Sequence, residues 1–216
     1  MSSTIDPLRP NPQPIDVEMT PATSSHTIAE AGGQQASKVP HIWLVTGPAG
    51  CGKTTVAQHI SETLNLPYLE GDAYHPRANI DKMANGIPLT DEDRWDWLTL
   101  LREESLKALV SGAEGVVLTC SALKRKYRDV IRVASYFHDV SIHFIYLHAP
   151  ETVLLERVGL RQGHYMGANM VRSQFAILEP PTAEETDVIS VDVSGSIEGV
   201  LEVALGQVTN KMTEAV

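Results

Sequence analysis

Cysteine is scarce: the 216 residues contain two, Cys51 and Cys120. Cys51 lies inside a glycine-rich loop where a disulfide would obstruct a ligand, so reduced thiols and a cytoplasmic setting are expected. Neither residue belongs to a CxxC pair, which removes a thiolate metal site. No run approaches the roughly 18 apolar residues that a membrane helix requires. Bases are outnumbered by acids, 17 to 27, leaving a formal net charge of −10. That excess argues against a nucleic-acid partner, whose binding rests on neutralising phosphates. It leaves room for a small phosphorylated ligand, because a local cluster of cations can focus an anion within an acidic protein.

Residues 1–40 have no aromatic side chain but contain Pro7, Pro10, Pro12, Pro14, Pro21 and Pro40. Such a segment buries too little apolar surface to offset its ordering entropy, so a disordered tail is expected. A secretory signal would need a basic start and an apolar block, and a mitochondrial presequence would avoid acids; the tail holds Asp6, Asp16, Glu18 and Glu30. The remainder, 41–216, suits one domain.

From His41 onward, short runs of nearly continuous apolar residues, HIWLVTG, GVVLTCS, SIHFIYLHA and DVISVDV, alternate with helical patterns. Runs of that kind fit parallel strands covered on both faces. Val56, Ile60 and Leu64 recur every fourth residue, and Ile197, Val200, Leu201, Ala204, Leu205 and Val208 share a face. Thr90 and Asp93 fit a capping box opening a helix. The fold class implied is α/β, a three-layer sandwich around a parallel sheet.

Gly47, Gly52, Lys53 and Thr54 match G-x-x-x-x-G-K-[ST] between a buried-type strand and an amphipathic helix. Glycines let the backbone curl so that successive N–H groups face phosphate oxygens, and the helix start adds its positive dipole end. The expected nucleotide loop comprises Gly47, Pro48, Ala49, Gly50, Cys51, Gly52, Lys53, Thr54 and Thr55. In it Lys53 spans the β- and γ-phosphates of a nucleoside triphosphate and the Thr54 hydroxyl ligates Mg²⁺. No N-K-x-D guanine reader exists: Asn210 and Lys211 are followed by Met212 and Thr213. The strand ending Thr119-Cys120-Ser121 supplies no carboxylate for the metal, and the nearest acids are Glu70 and Asp72.

The run LPYLEGD follows the phosphate-loop helix, so its carboxyl end should emerge on the edge where ligands of open α/β sheets collect. Asp72 is thereby placed to accept a proton from an attacking hydroxyl or to support Mg²⁺. His75, Arg77 and Arg94 offer cationic and hydrogen-bonding groups. Lys124 and Arg128 sit near the first turns of an expected helix, where cations oppose the dipole and an anionic ligand would relieve them. Arg157 and Arg161, four apart and next to Gly159, Gly163 and Gly167, suit a lid over about 157–169 that closes on the triphosphate.

The phosphate loop, EGDAYHPRANIDKMANGIPLTDEDRWDWL, CSALKRKYRD, RQGHYM and SQFAILEPP together resemble the gluconokinase family of small sugar-acid kinases, from about Ile42 to the C-terminus. The resemblance implies a nucleoside-kinase-like fold, ATP as donor and transfer of its γ-phosphate to the 6-hydroxyl of D-gluconate. It implies too that His75, Arg77 and Arg94 hold this anionic acceptor. Asp96 departs from it, standing where members usually have proline, and residues 1–40 have no counterpart in compact members. The expected ligands are ATP with Mg²⁺ and D-gluconate, with neither nucleic acid nor membrane; a homodimer is an allowed assembly. Two other readings stay open at this point: the same fold phosphorylating shikimate or a nucleoside monophosphate, and a non-catalytic nucleotide-binding protein.

Overall fold

The computed structural model describes residues 39–160 and 168–214. The expected tail, save Val39 and Pro40, and the centre of the expected lid, including Arg161, lie outside them. Among the described residues five strands form one sheet: β1 (His41–Thr46), β2 (Tyr68–Glu70), β3 (Gly115–Thr119), β4 (Ser141–His148) and β5 (Val188–Asp192). Their order is β2-β3-β1-β4-β5, and every pairing is parallel. All five carboxyl ends therefore open on one edge. Pro40 already belongs to the sheet, since its carbonyl accepts the Ser141 N–H.

The crossovers supply the outer layers: α1 (Lys53–Leu64), α2 (Arg77–Ala84), α3 (Glu92–Val110), α4 (Arg125–Arg132), α5 (Ala134–Phe137), α6 (Glu151–Gly159), α7 (Ala168–Ile177) and α8 (Ile197–Glu214). Strand alternation sorts the side chains of β1 to opposite faces. Two apolar layers follow: Trp43 and Val45 cluster with Val56 and Ile60 of α1 and Val200 and Val208 of α8. Ile42 and Leu44 meet Trp97, Leu98 and Leu101 of α3 and Tyr127 and Ile131 of α4. This is the expected three-layer α/β sandwich. The α3 start is a capping box, with Asp93 Oδ2 accepting the Thr90 N–H at 2.9 Å and Thr90 Oγ1 accepting the Asp93 N–H at 3.4 Å. On β1 and β4, His41 and His143 are 3.1 Å apart through ring nitrogens, and Trp43 stacks on His143 at 4.3 Å.

Sequence patterning missed α2, because Arg77–Ala84 is half polar and buries only Asn79 and Met83. It is held by the chain around it. The Asn79 amide donates to the Asp93 carbonyl at 2.7 Å, and Lys82 pairs with the Asp93 carboxylate at 2.6 Å.

One glycine fixes how β2 leaves the sheet. A Cβ at Gly71 would lie 1.9 Å from the Thr119 carbonyl oxygen, so only glycine lets the chain after Glu70 press against β3. Gly71→Ala must push backbone against backbone, and a destabilisation of about 1–3 kcal/mol is expected, read as a lower thermal midpoint. An alanine variant with the wild-type midpoint would contradict this packing.

Candidate active site

β1 delivers the phosphate loop to the carboxyl edge. Gly47 adopts φ +140°, and a Cβ there would lie 2.3 Å from the Leu147 carbonyl oxygen, so the loop can start in no other way. Thr46 Oγ1 donates to the Ser121 carbonyl at 2.6 Å, tying the loop to the end of β3. Lys53 opens α1 and donates through Nζ to the Gly47 and Pro48 carbonyls at 3.0 and 3.1 Å. The first turn of α1 contains no acid, so nothing in the helix itself neutralises its positive end. Cys51 and Cys120 are both free and buried, and burial pushes both thiols up, Cys120 to about 12.

β2 delivers two carboxylates beside that loop. Glu70 accepts from the Thr54 hydroxyl at 2.9 Å, from the Tyr68 hydroxyl at 2.5 Å and from Thr119. Burial works to raise its pKa, but the three hydroxyl donors outweigh it and hold the carboxylate below its ordinary range. Thr119 Oγ1 also accepts the Gly71 N–H at 3.0 Å, which fixes the chain between the two acids. Asp72 follows in a 3₁₀ turn over Gly71–Tyr74. Burial raises its pKa, Lys53 opposes that shift, and the charge on Glu70 adds to it. The neighbouring carboxylates thus differ in basicity, Asp72 raised and Glu70 lowered.

Opposite lies a pocket walled by Met83, Leu89 and Trp97 with His75 and Arg94 set into it, and it is continuous with Lys53, Thr54, Glu70 and Asp72 in one cleft. Trp97 donates through Nε1 to the Gly71 carbonyl at 2.9 Å and stacks on His75 at 3.9 Å. His75 Nε2 lies 3.8 Å from Asp72 Oδ1. Arg94 is 8% exposed and commits Nη1 to the Leu89 and Thr90 carbonyls at 2.5 and 2.9 Å. Burial, and then the Arg94 charge, push His75 down to about 4, so the imidazole is neutral at physiological pH.

His143 is likewise pushed down to about 4, by burial and then by His41 and Lys211. Lowered histidines contribute stability that is complete above their unfolded value and is lost as pH falls toward the folded one. Between about pH 6.5 and 4 the unfolded chain binds the extra protons, so stability should fall by roughly 1.4 kcal/mol per pH unit for each histidine. Urea midpoints measured through that range check this; a flat profile would contradict it.

Three expected site residues lie elsewhere. Arg128 is 2% exposed and forms a bidentate pair with Glu185, both contacts at 2.7 Å. Its Nη1 also donates to the Ala122 and Glu179 carbonyls. Lys124 pairs with Asp91 at 2.9 Å, and Arg77 is exposed and pairs with Asp81 at 2.9 Å. None of the three lines the cleft. The anion expected to relieve the cations at the α4 start is the protein's own, since Asp91, Glu179, Glu184 and Glu185 all converge there. Arg157 stays near the loop, where its charge acts on Cys51, but Nη2 is bound to the Val193 carbonyl at 2.6 Å. Sequence reasoning did not single out Trp97 or Gln174. An indole in an amphipathic helix reads as core, and a lone glutamine gives no signal until α7 brings it to the loop.

A five-stranded parallel sheet, a phosphate loop on its central strand and a carboxylate-and-arginine pocket facing that loop define a P-loop kinase. The family model described as an AAA domain matches residues 42–181. A protein of Schizosaccharomyces pombe described as a probable gluconokinase is 49% identical over 166 residues, covering 73% of this chain and 82% of that one. The thermoresistant gluconokinase of Escherichia coli is 39% identical over 161 residues, 74% and 89% of the two chains. The crystal structure of a gluconokinase from Sinorhizobium meliloti superposes with a TM-score of 0.71 at 38% identity, over 82% of this chain and 96% of that chain. The chain carries this domain and belongs to the gluconokinase family.

Proposed function

We propose that the protein transfers the γ-phosphoryl group of ATP to the 6-hydroxyl of D-gluconate, giving 6-phospho-D-gluconate and ADP. The observation carrying this reading is the single cleft shared by Lys53, Thr54 and Asp72. The loop amides and Lys53 hold the donor phosphates in line with the acceptor. Asp72, with its raised pKa, orients the 6-hydroxyl and takes its proton as the new O–P bond forms. Arg94 and the neutral His75 hold the sugar acid, the guanidinium toward its carboxylate and the imidazole toward a hydroxyl. Arg157 contributes positive charge behind the loop.

Thr54 and Glu70 present hard oxygens 2.9 Å apart beside the loop. Among the described residues no group of three acids, histidines or cysteines gathers. That suits Mg²⁺ arriving with the nucleotide and keeping several waters, rather than a metal caged by the protein. Thr54 and Glu70 would hold it, and bound there it would supply neutralising charge to the triphosphate. Among the described residues no helix is long and apolar enough to cross a membrane; we place the enzyme in the cytoplasm, where its thiols stay reduced.

Acceptor-dependent ADP release decides the assignment. D-gluconate should stimulate it strongly, while shikimate and nucleoside monophosphates should not. Stimulation by one of those instead, or ATP binding without release by any acceptor, would overturn it.

A further inference from the structure

A short polar contact on the phosphate loop comes from a residue with no assigned role. Gln174, on α7, places Oε1 2.7 Å from the backbone nitrogen of Ala49. Because that N–H can only donate, the atom facing it must be the carbonyl oxygen, and the orientation of the amide is fixed. Its NH₂ group is then the outward end. Gln174 is 8% exposed and lines the cleft beside Lys53 and Thr54. Among the described residues no acceptor meets Nε2, yet Nε2 is not sealed from the cleft. On α7, Val171 and Phe175 pack in the apolar cluster that also contains Ala49, so the helix carrying the amide is seated against the loop by apolar contacts as well.

We infer that Gln174 is a nucleotide-phosphate ligand that also positions the crown of the phosphate loop. Oε1 fixes Ala49, and Nε2 donates to a phosphate oxygen of the bound triphosphate. A neutral amide adds a donor without adding charge, where Lys53 and the α1 dipole already supply the positive field. This inference rests on reading the loop as the ATP site, and it is independent of the acceptor.

The test uses the full chain and measures Mg-ATP binding by calorimetry at about pH 8, with no acceptor present, alongside exchange of the Ala49 amide. Gln174→Glu keeps an acceptor for Ala49 but replaces the donor with a carboxylate oxygen. Gln174→Leu removes both. Both should weaken ATP binding by roughly tenfold or more, as expected for a hydrogen bond to a charged group. Ala49 should stay protected in the glutamate variant and exchange faster in the leucine variant, with thermal midpoints little changed. Wild-type ATP affinity in Gln174→Glu would overturn the phosphate contact, and this holds even if Gln174→Leu fails to fold. Unchanged Ala49 protection in a folded Gln174→Leu would overturn the positioning role. A wild-type chain that does not bind ATP would instead overturn the parent reading, and this inference with it.

Discussion

Asp72→Asn lowers kcat for gluconate phosphorylation by about 10²–10⁴-fold, while the KM for ATP stays near its wild-type value. The amide is isosteric and keeps a hydrogen-bonding oxygen, so it can still orient the acceptor hydroxyl. It cannot take the proton. The nucleotide contacts lie on Lys53, Thr54 and the loop backbone, and Lys53 meets Asp72 only through charge acting across space. Charge makes the split sharper. Asp72 is raised by burial and by Glu70, so removing its charge relieves a repulsion with the triphosphate, and ATP affinity should rise if it moves at all. Substitution at Glu70 would behave differently, because its carboxylate is held ionised by three hydroxyl donors and faces Thr54. Its loss belongs to the metal side and should raise the Mg²⁺ requirement. Near-normal turnover in Asp72→Asn would remove the proposed base, and a parallel loss of ATP affinity would move Asp72 to the donor site.

What could be read from sequence follows from the range of the forces involved. The α/β architecture was legible because β1, β3 and β4 are buried on both faces and so appear as continuous apolar runs. The phosphate loop was legible because its glycines and Lys53 act on neighbouring backbone within a few residues. The α3 start was legible for the same reason, since Thr90 and Asp93 satisfy one another locally. Asp72 could be placed at the loop's edge from topology alone, because parallel strands share their carboxyl ends.

Cationic candidates were harder, and the reason is physical. Arg94, Lys124 and Arg128 each offer a guanidinium or ammonium near a strand end or helix start, and composition does not show which acid will meet them. The acid that claims Arg128, Glu185, is 57 residues away along the chain. Lys124 is claimed by Asp91 across 33 residues. Arg94 escapes because the carbonyls of its own helix start occupy only one nitrogen. Glu70 was visible as a nearby acid, but its contact with Thr54 depends on the three-dimensional approach of β2 to α1. Gln174 needed the return of α7 over the loop.

Arg128 and Glu185 yield the largest expected effect on stability, and the two partners should not be equivalent. Both side chains are 2% exposed, so deleting either leaves the other in a medium that solvates charge poorly. Breaking a buried pair of this kind costs about 3–5 kcal/mol. For a chain of this size that corresponds to a thermal midpoint lower by on the order of 10 °C. A guanidinium cannot shed its proton, whereas a carboxylate can neutralise itself by gaining one. Glu185 also keeps a second cation, since Arg132 Nη2 lies 2.7 Å away. Burial would raise the Glu185 carboxyl, but hydrogen bonds from Arg128 and Arg132 outweigh it and bring it down to about 2. Glu185→Met should therefore destabilise more than Arg128→Met, and the Arg128→Met loss should shrink at mildly acidic pH, where Glu185 can protonate. The double variant should recover much of the loss, because apolar groups of similar volume leave no stranded charge. Denaturation midpoints of the three variants give the ranking; equal single losses, or a double variant as unstable as their sum, would contradict the account. At temperatures where Arg128→Met is folded, its KM for gluconate should match the wild type, since Arg128 spans α4 and the chain leading to β5 rather than the cleft. A selective rise in that KM would instead return Arg128 to the acceptor pocket.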